Sequence, residues 1–140
     1  MLKDQAEIRV VLDAATLARE AAGEFSRCAQ DAIATKGRFA VALSGGSTPR
    51  SVNSLLAAEY KDSLPWNKIF IFFGDERHVP PDDPDSNYRM ADESLLSRVP
   101  LPRENAFRIQ AELPAVVAAE KYEGTLRDFF VLKPGEWPRF

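Results

Sequence analysis

Apolar positions along this chain recur with two periods, and segments of the two kinds alternate. Short apolar runs with the length of strands lie at 8–12, 38–43, 68–73 and 107–109. Stretches with apolar residues three or four positions apart predict helices at 14–36, 49–59, 86–97 and 114–130. The run at 69–73 is continuously apolar, as expected of a strand covered on both faces. This alternation predicts a three-layer α/β fold, in which helices cover both faces of a mainly parallel sheet.

Residues at the predicted helix ends match the known preferences of helix caps. Asp13 suits the N-cap of the first helix, and Gly37 suits its carboxyl end. For the second helix, Thr48 is predicted as the N-cap and Pro49 as the first helical residue. Ser86 is predicted to cap the third helix.

A glycine-containing turn joins the second predicted strand to the second helix and consists of Ser44, Gly45, Gly46, Ser47 and Thr48. Both glycines are predicted to take positive φ and to allow a ligand close to the backbone. The backbone N–H groups of Gly46 and Ser47 and the Thr48 hydroxyl are predicted to bind a phosphate at the positive end of the helix dipole. The plainer interpretation is a strand-to-helix loop with a cap.

Three charged residues, Asp75, Glu76 and Arg77, directly follow the third predicted strand. In open α/β sheets, ligands bind at the carboxyl ends of the strands. Asp75 is therefore interpreted as a functional carboxylate rather than a solvated one. Arg77 is predicted to bind phosphate through its planar guanidinium, the alternative being an ion pair with Glu76 or a neighbouring aspartate. For Glu76, structural pairing and substrate contact are equally supported.

Two further groups of residues are candidate sites. Asp83, Asp85 and Asn87 have the spacing of the first three ligands of a calcium loop, but Tyr88 stands where a glycine is expected. No metal is predicted, and Asn87 with Ser86 is interpreted as a brace for the active-site loop.

The lone Cys28 allows no internal disulfide and is predicted to fill the core from an apolar helical face.

Composition narrows the possible partners. The chain has 18 basic and 21 acidic residues, a net charge of −3, and no basic block, which argues against a nucleic-acid partner. No apolar run has the length of a membrane span, so no membrane partner and a cytoplasmic location are predicted. An anion-binding turn beside a carboxylate indicates an enzyme that acts on a small phosphorylated molecule.

Three motifs, in this order, resemble 6-phosphogluconolactonase: Ser-Gly-Gly-Ser-Thr-Pro-Arg at 44–50, Gly-Asp-Glu-Arg at 74–77 and Asp-Ser-Asn-Tyr at 85–88. Ala-Ala-Glu-Lys-Tyr at 118–122 fits the same pattern. The resemblance implies the fold shared with glucosamine-6-phosphate deaminase and hydrolysis of 6-phosphoglucono-1,5-lactone in the oxidative pentose phosphate pathway. It implies no metal or cofactor, and a role for Asp75 in orienting the catalytic histidine or placing water.

That histidine belongs to a Gly-Asp-Gly-His-Thr segment which, in the family pattern, follows the point corresponding to Phe140. The single histidine of this chain, His78, does not match it and is interpreted as a loop residue. We therefore expect residues 1–140 to form the amino-terminal part of one truncated lactonase domain. Two alternatives stay open: a deaminase or isomerase of aminosugar phosphates, and a phosphosugar-binding fragment without catalysis.

A truncated domain is expected to leave apolar surface uncovered. The candidates are aromatic residues of the third strand and the fourth helix: Phe70, Phe72, Phe73, Phe129 and Phe130. Such a surface favours aggregation or pairing, so the isolated chain is predicted to be marginally stable or to self-associate.

Overall fold

The computed structural model describes residues 7–140, in which two parallel strands lie between helices. The helices are α1 (Ala14–Lys36), α2 (Ser47–Glu59), α3 (Asn87–Ala91) and α4 (Ala115–Phe130). The strands are β1 (Phe39–Leu43) and β2 (Ile69–Phe73), which pair in parallel from Phe39 opposite Ile69 to Leu43 opposite Phe73. Short 3₁₀ turns at Trp66–Lys68 and Arg103–Asn105 and a π turn at Asp92–Leu96 complete the elements.

Side chains alternate across β2 and pack against helices on both faces of the sheet. Ile69, Ile71 and Phe73 belong to a buried cluster that also contains Ala22 of α1 and Leu56 of α2. On the opposite face, the Phe129 ring of α4 lies 5.1 Å from the Phe70 ring and 5.0 Å from the Phe72 ring. The predicted α/β fold with helices on both faces of a parallel sheet is therefore confirmed.

The expectation of bare aromatic residues was wrong for two of the five. Phe72 and Phe73 are only 0 % and 3 % exposed, whereas Phe70, Phe129 and Phe130 are half-buried. Phe72 is covered because its ring stacks on Phe107 at 4.7 Å and also contacts α4. Self-association through exposed aromatic surface stays a prediction, and only three of the five expected residues are exposed enough to contribute to it.

Local capping signals predicted three helix ends correctly. The Asp13 carboxylate accepts a hydrogen bond from the Thr16 backbone at 2.7 Å, and Gly37, at φ 76°, donates to the Ile33 carbonyl at 2.9 Å. The Ser86 hydroxyl likewise accepts from the Arg89 backbone at 3.1 Å at the start of α3. These caps could be predicted because each involves residues only three or four positions apart.

The start of α2 differs from the prediction. Gly46 is the N-cap, with φ 112°, and the helix begins at Ser47. Thr48 and Pro49 are consequently the second and third helical residues, so the prediction of a Thr48 cap was wrong. A glycine at this φ lets the chain enter the helix two residues earlier than the side-chain pattern indicated.

Two predicted strands did not form. Residues 8–12 have no strand, and Ile8, Val10 and Leu12 are 85 %, 92 % and 93 % exposed. The second segment, 107–109, does not form a strand either. Just before it, Ala106 forms a single parallel bridge with Ile71. A short apolar run is suitable for a strand, but a strand also needs a hydrogen-bonding partner at the right place.

Cys28 does not lie in the core. It is half-buried on α1, with its sulfur 3.6 Å from the Glu24 carboxylate, so the prediction of a core position was wrong.

In the part of the chain that the structure describes, no helix combines the length and apolar composition needed to cross a bilayer.

Candidate active site

The turns that follow β1 and β2 begin side by side at one edge of the sheet. Leu43 and Phe73, the last residues of the two strands, are register partners. The parallel pairing continues one step further, because the Gly74 backbone donates to the Leu43 carbonyl at 3.0 Å. The glycine turn and the charged turn, predicted to share an edge, therefore leave the sheet as neighbours.

Asn87, the first residue of α3, contacts both turns. Its side-chain amide donates to the Asp75 carboxylate at 3.0 Å and approaches the Asp75 carbonyl at 3.4 Å. The same side chain packs on Gly45 so closely that a Cβ there would lie 2.0 Å from the Asn87 Oδ1. Asn87 is only 6 % exposed, so it is a fixed link between the glycine turn and the catalytic candidate Asp75.

The two glycines of the turn have different roles. Gly46 has a positive φ, as predicted, but Gly45 does not, so that part of the prediction was wrong. Gly45 is required instead because the Asn87 side chain occupies the space of a Cβ. A turn that must accommodate a buried amide in this way depends on the absence of a side chain more than on backbone freedom.

The Glu76 carboxylate is occupied by the protein itself. It accepts hydrogen bonds from the backbone of Arg77 at 2.8 Å, of Asn87 at 2.7 Å and of Tyr88 at 2.9 Å, and from the Ser86 hydroxyl at 3.0 Å. The last three donors belong to the start of α3, where a negative charge is favourable. Of the two roles left open for Glu76, the structure shows the structural one, with partners other than the Arg77 guanidinium.

The N-terminus of α2 remains open to solvent. Ser44, Gly46, Ser47 and Thr48 are exposed, and the first turn contains no acidic residue. Among the described residues, no side chain caps this end of α2. Backbone N–H groups with this geometry are suited to binding an anion such as a phosphate.

Asp75 and Arg77, in the turn after β2, are both exposed. Asp75 is oriented by Asn87, and within residues 7–140 the Arg77 guanidinium forms no ion pair. His78 lies in the following loop, where its Nε2 is 3.1 Å from the Leu113 carbonyl and donates to it. The site therefore presents one oriented carboxylate and one guanidinium to solvent.

Tyr122 of α4 is a contributor to this region that the motif pattern did not assign a role. Its hydroxyl accepts from the Phe73 backbone N–H at 2.8 Å and donates to the Phe73 carbonyl at 2.9 Å. Burial raises the pKa of the Tyr122 phenol above its ordinary value of 10.0, while the hydrogen bond from Phe73 acts in the opposite direction. A tyrosine on the apolar face of a helix, whose hydroxyl needs a partner when buried, was the available signal.

A cavity of about 670 Å³ lies on another side of the charged turn. Glu76 and His78 contribute to its wall, but most of the lining comes from apolar residues of 109–119, α4 and 132–138. The predicted phosphate-binding residues of the glycine turn do not line it. An apolar lining of this kind does not match the chemistry of a phosphate.

The residues that resemble a calcium loop do not converge. The Asp83 carboxylate accepts from the Asp85 backbone at 2.9 Å, and the Asn87 side chain faces Asp75. In the described residues there is no group of three His, Cys, Asp or Glu side chains arranged to hold a metal ion.

Comparisons with known proteins agree with the motif pattern. A family model described as glucosamine-6-phosphate isomerases/6-phosphogluconolactonase matches residues 12–140. The 6-phosphogluconolactonase of Nostoc sp. is 50 % identical over 109 residues, which are 76 % of this chain and 44 % of the relative. The protein named probable 6-phosphogluconolactonase 3, chloroplastic, of Oryza sativa subsp. indica is 40 % identical over 111 residues, 79 % of this chain and 34 % of the relative.

A solved structure shows the same relationship. The crystal structure of 6-phosphogluconolactonase from Thermotoga maritima matches with a TM-score of 0.78 at 32 % identity, covering 86 % of this chain and 53 % of that one. The chain thus spans about half the length of that protein and less of the two sequence relatives. Since one relative is named chloroplastic, the cytoplasmic location stays a prediction. The chain belongs to the glucosamine-6-phosphate isomerase/6-phosphogluconolactonase family.

Proposed function

We propose that this chain forms the phosphosugar-binding part of a 6-phosphogluconolactonase, which hydrolyses 6-phosphoglucono-1,5-lactone to 6-phosphogluconate. The observation that carries the proposal is the position of Asn87, whose side chain hydrogen-bonds Asp75 and packs on Gly45. This one contact holds a carboxylate beside an open helix N-terminus. A ligand with a phosphate at one end and a reactive carbonyl at the other matches that pair of groups.

In this proposal the substrate phosphate lies at the start of α2. The backbone N–H groups of Gly46, Ser47 and Thr48 donate to its oxygens, with the Thr48 hydroxyl as a further donor. Arg77 supplies a compensating positive charge from the neighbouring turn, in the planar geometry that phosphate oxygens favour. Glu76 is excluded from this role because its oxygens are already bonded to the start of α3.

The chemical step is the attack of water on the lactone carbonyl. The water loses a proton to a general base, the new C–O bond gives a tetrahedral oxyanion, and the ring C–O bond then breaks with protonation of the leaving oxygen. The family resemblance assigns the general base to a histidine located after the position of Phe140. We propose that Asp75, oriented by Asn87, holds that histidine or the attacking water in place.

The proposal is tested with the product as a probe and the lactone as substrate. Isothermal titration with 6-phosphogluconate should show binding, and Arg77→Ala should weaken it by about tenfold, the effect of losing one charge-assisted contact. Arg103→Ala is the matched control because Arg103 pairs with Asp92 and lies near the start of β2, at the opposite end of the strand. Equal affinity in the wild type and both variants would contradict the assigned phosphate site.

Activity measurements separate the proposal from its two rivals. Lactone hydrolysis above the spontaneous rate supports a lactonase, and ammonia release from glucosamine 6-phosphate would instead indicate a deaminase. Binding of 6-phosphogluconate without turnover of either compound is what residues 1–140 should show when the general base lies after the position of Phe140, and the same site residues apply.

A further inference from the structure

The outer edge of β2 is completed by groups that do not belong to a strand. Alternate residues of a strand direct their backbone groups to the same side, and on this side lie Ile69, Ile71 and Phe73. The Asn105 side chain donates to the Ile69 carbonyl at 3.0 Å, and the Phe107 backbone donates to the Ile71 carbonyl at 2.8 Å. At the end of this edge, the Tyr122 hydroxyl hydrogen-bonds both backbone groups of Phe73.

Tyr122 satisfies both backbone groups of Phe73 with a single atom. A phenol can accept one hydrogen bond and donate another, so it can satisfy the N–H and the C=O of one residue together. Phe73 is only 3 % exposed, and Tyr122 is half-buried. Loss of the hydroxyl would therefore leave both backbone groups of a buried residue without a protein partner.

These contacts fix the backbone just before the catalytic candidate. Phe73 is held on one side by Tyr122, and the next residue, Gly74, is held on the other side by the Leu43 carbonyl. Asp75 follows immediately and accepts a hydrogen bond from Asn87. The direction in which Asp75 leaves the sheet is consequently set by restraints on both edges of β2.

We propose that Tyr122 is a positioning residue for Asp75, acting through the backbone of Phe73 and Gly74. The proposal rests on the function proposed above, since it is there that the direction of Asp75 matters. A purely structural role, in which Tyr122 only anchors α4 to the sheet, predicts a loss of stability without a specific change at Asp75 or Asn87.

Two variants distinguish these roles. Tyr122→Phe keeps the ring and removes the hydroxyl at the end of β2 next to Asp75. Asn105→Ala is the matched control, because it removes side-chain hydrogen bonds to Asn67 and Ile69 at the start of the same strand edge. Urea unfolding of both variants gives the loss of stability, against which any change at the site is compared.

The first readout is the hydrogen-exchange rate of the Asn87 side-chain amide, which is measured by NMR in the 140-residue chain. In Tyr122→Phe this amide should exchange about five- to tenfold faster than in the wild type, as expected when its acceptor Asp75 is less well placed. In Asn105→Ala the rate should change by less than about twofold after correction for global stability. Equal rates in the two variants, or no change in Tyr122→Phe, would overturn the proposal. If Tyr122→Phe is partly unfolded, trimethylamine N-oxide restores the compact state and the comparison is repeated there.

The second readout is the affinity for 6-phosphogluconate. Tyr122→Phe should change the affinity more than Asn105→Ala does at the same loss of stability, and an equal change in the two variants would contradict the positioning role. If the wild type itself does not bind the product, the proposed function fails. The exchange rates at Asn87 still decide whether Tyr122 positions Asp75, so failure of the two proposals can be distinguished.

Discussion

The two turns at the carboxyl edge of the sheet use their polar groups in opposite ways. After β1, the backbone donors at the start of α2 face solvent, and no side chain among the described residues caps them. After β2, the Glu76 carboxylate is bonded to three donors at the start of α3 and to one within its own turn. The backbone donors after β1 are therefore free to bind a ligand, whereas the Glu76 carboxylate after β2 is used in hydrogen bonds within the protein.

Asp75 and Glu76 show the same division between adjacent residues. Both are carboxylates past the end of β2, but Asp75 is exposed and has one side-chain donor, whereas Glu76 is half-buried with four donors. A charged motif at a sheet edge is therefore not a uniform functional unit. Glu76 holds the start of α3, whereas Asp75 accepts a hydrogen bond from Asn87 and stays exposed.

The largest effect is expected from Glu76→Gln. An amide group presents N–H donors to the backbone N–H groups that now face a carboxylate, so we expect a loss of about 2–3 kcal/mol in the free energy of unfolding. Urea unfolding measures it, with Glu120→Gln on the exposed surface of α4 as the control, within about 0.5 kcal/mol of wild type. A loss below that of the control would show that Glu76 is not part of the scaffold.

Gly45→Ala should have the next largest effect. The new Cβ would lie 2.0 Å from the Asn87 Oδ1, so Asn87 must move away from Asp75. We expect a loss of about 2 kcal/mol, as for an overpacked site, together with weaker binding of 6-phosphogluconate.

Gly124→Ala in α4 is the matched glycine variant, because no atom outside the adjacent backbone of its own helix lies within 4 Å of the added Cβ. This variant should be more stable than the wild type by about 0.5–1 kcal/mol, since alanine is the better helix former. If Gly45→Ala behaved like Gly124→Ala, the close contact between the two turns would be wrong.

A smaller effect is expected at the edge of β2 when the pH is raised. The pKa of Tyr122 is raised above 10.0 in the folded state, so the folded chain keeps a proton that the unfolded chain releases. The contribution of this group is complete below pH 10 and is lost as the pH rises through the folded pKa. The free energy of unfolding, measured in urea from neutral to alkaline pH, should fall more steeply in the wild type than in Tyr122→Phe. Parallel curves would contradict this.

The smallest effect on stability is expected from Asp75→Asn. The side chain is exposed, and an amide oxygen can still accept from Asn87, so the free energy of unfolding should change by less than about 0.5 kcal/mol. Affinity for 6-phosphogluconate should be kept or increased, because a negative charge near the ligand is removed. A loss of stability as large as that of Glu76→Gln would remove the distinction between the two carboxylates.

Features governed by neighbours in the sequence could be predicted, and features governed by distant residues could not. The caps at Asp13 and Gly37 and the position of the charged turn after β2 follow from local pattern. The occupation of Glu76 depends on residues ten or more positions away, and the need for glycine at 45 depends on Asn87. No local signal distinguishes a glycine needed for φ from one needed for space.

The same limit explains the errors in the strands and the aromatic residues. Residues 8–12 are a mainly apolar run with the length of a strand, but among the described residues no strand lies beside them to pair with. Phe72 was expected to be bare because a truncated domain would leave it uncovered, but Phe107 and Phe129 of α4 cover it. The sequence does not specify the path that brings these residues over the sheet. The apolar pattern predicts which residues are suited to burial, but tertiary packing determines which of them are buried.

The central claim is that the open N-terminus of α2 and Asp75 form one phosphosugar site linked by Asn87. The most direct test is an NMR titration of the isotope-labelled chain with 6-phosphogluconate. The account predicts that the largest shift changes occur at the backbone amides of Gly46, Ser47 and Thr48 and at Arg77, together with the Asn87 side-chain amide. Changes confined to α4 and residues 132–138, around the apolar cavity, would contradict it.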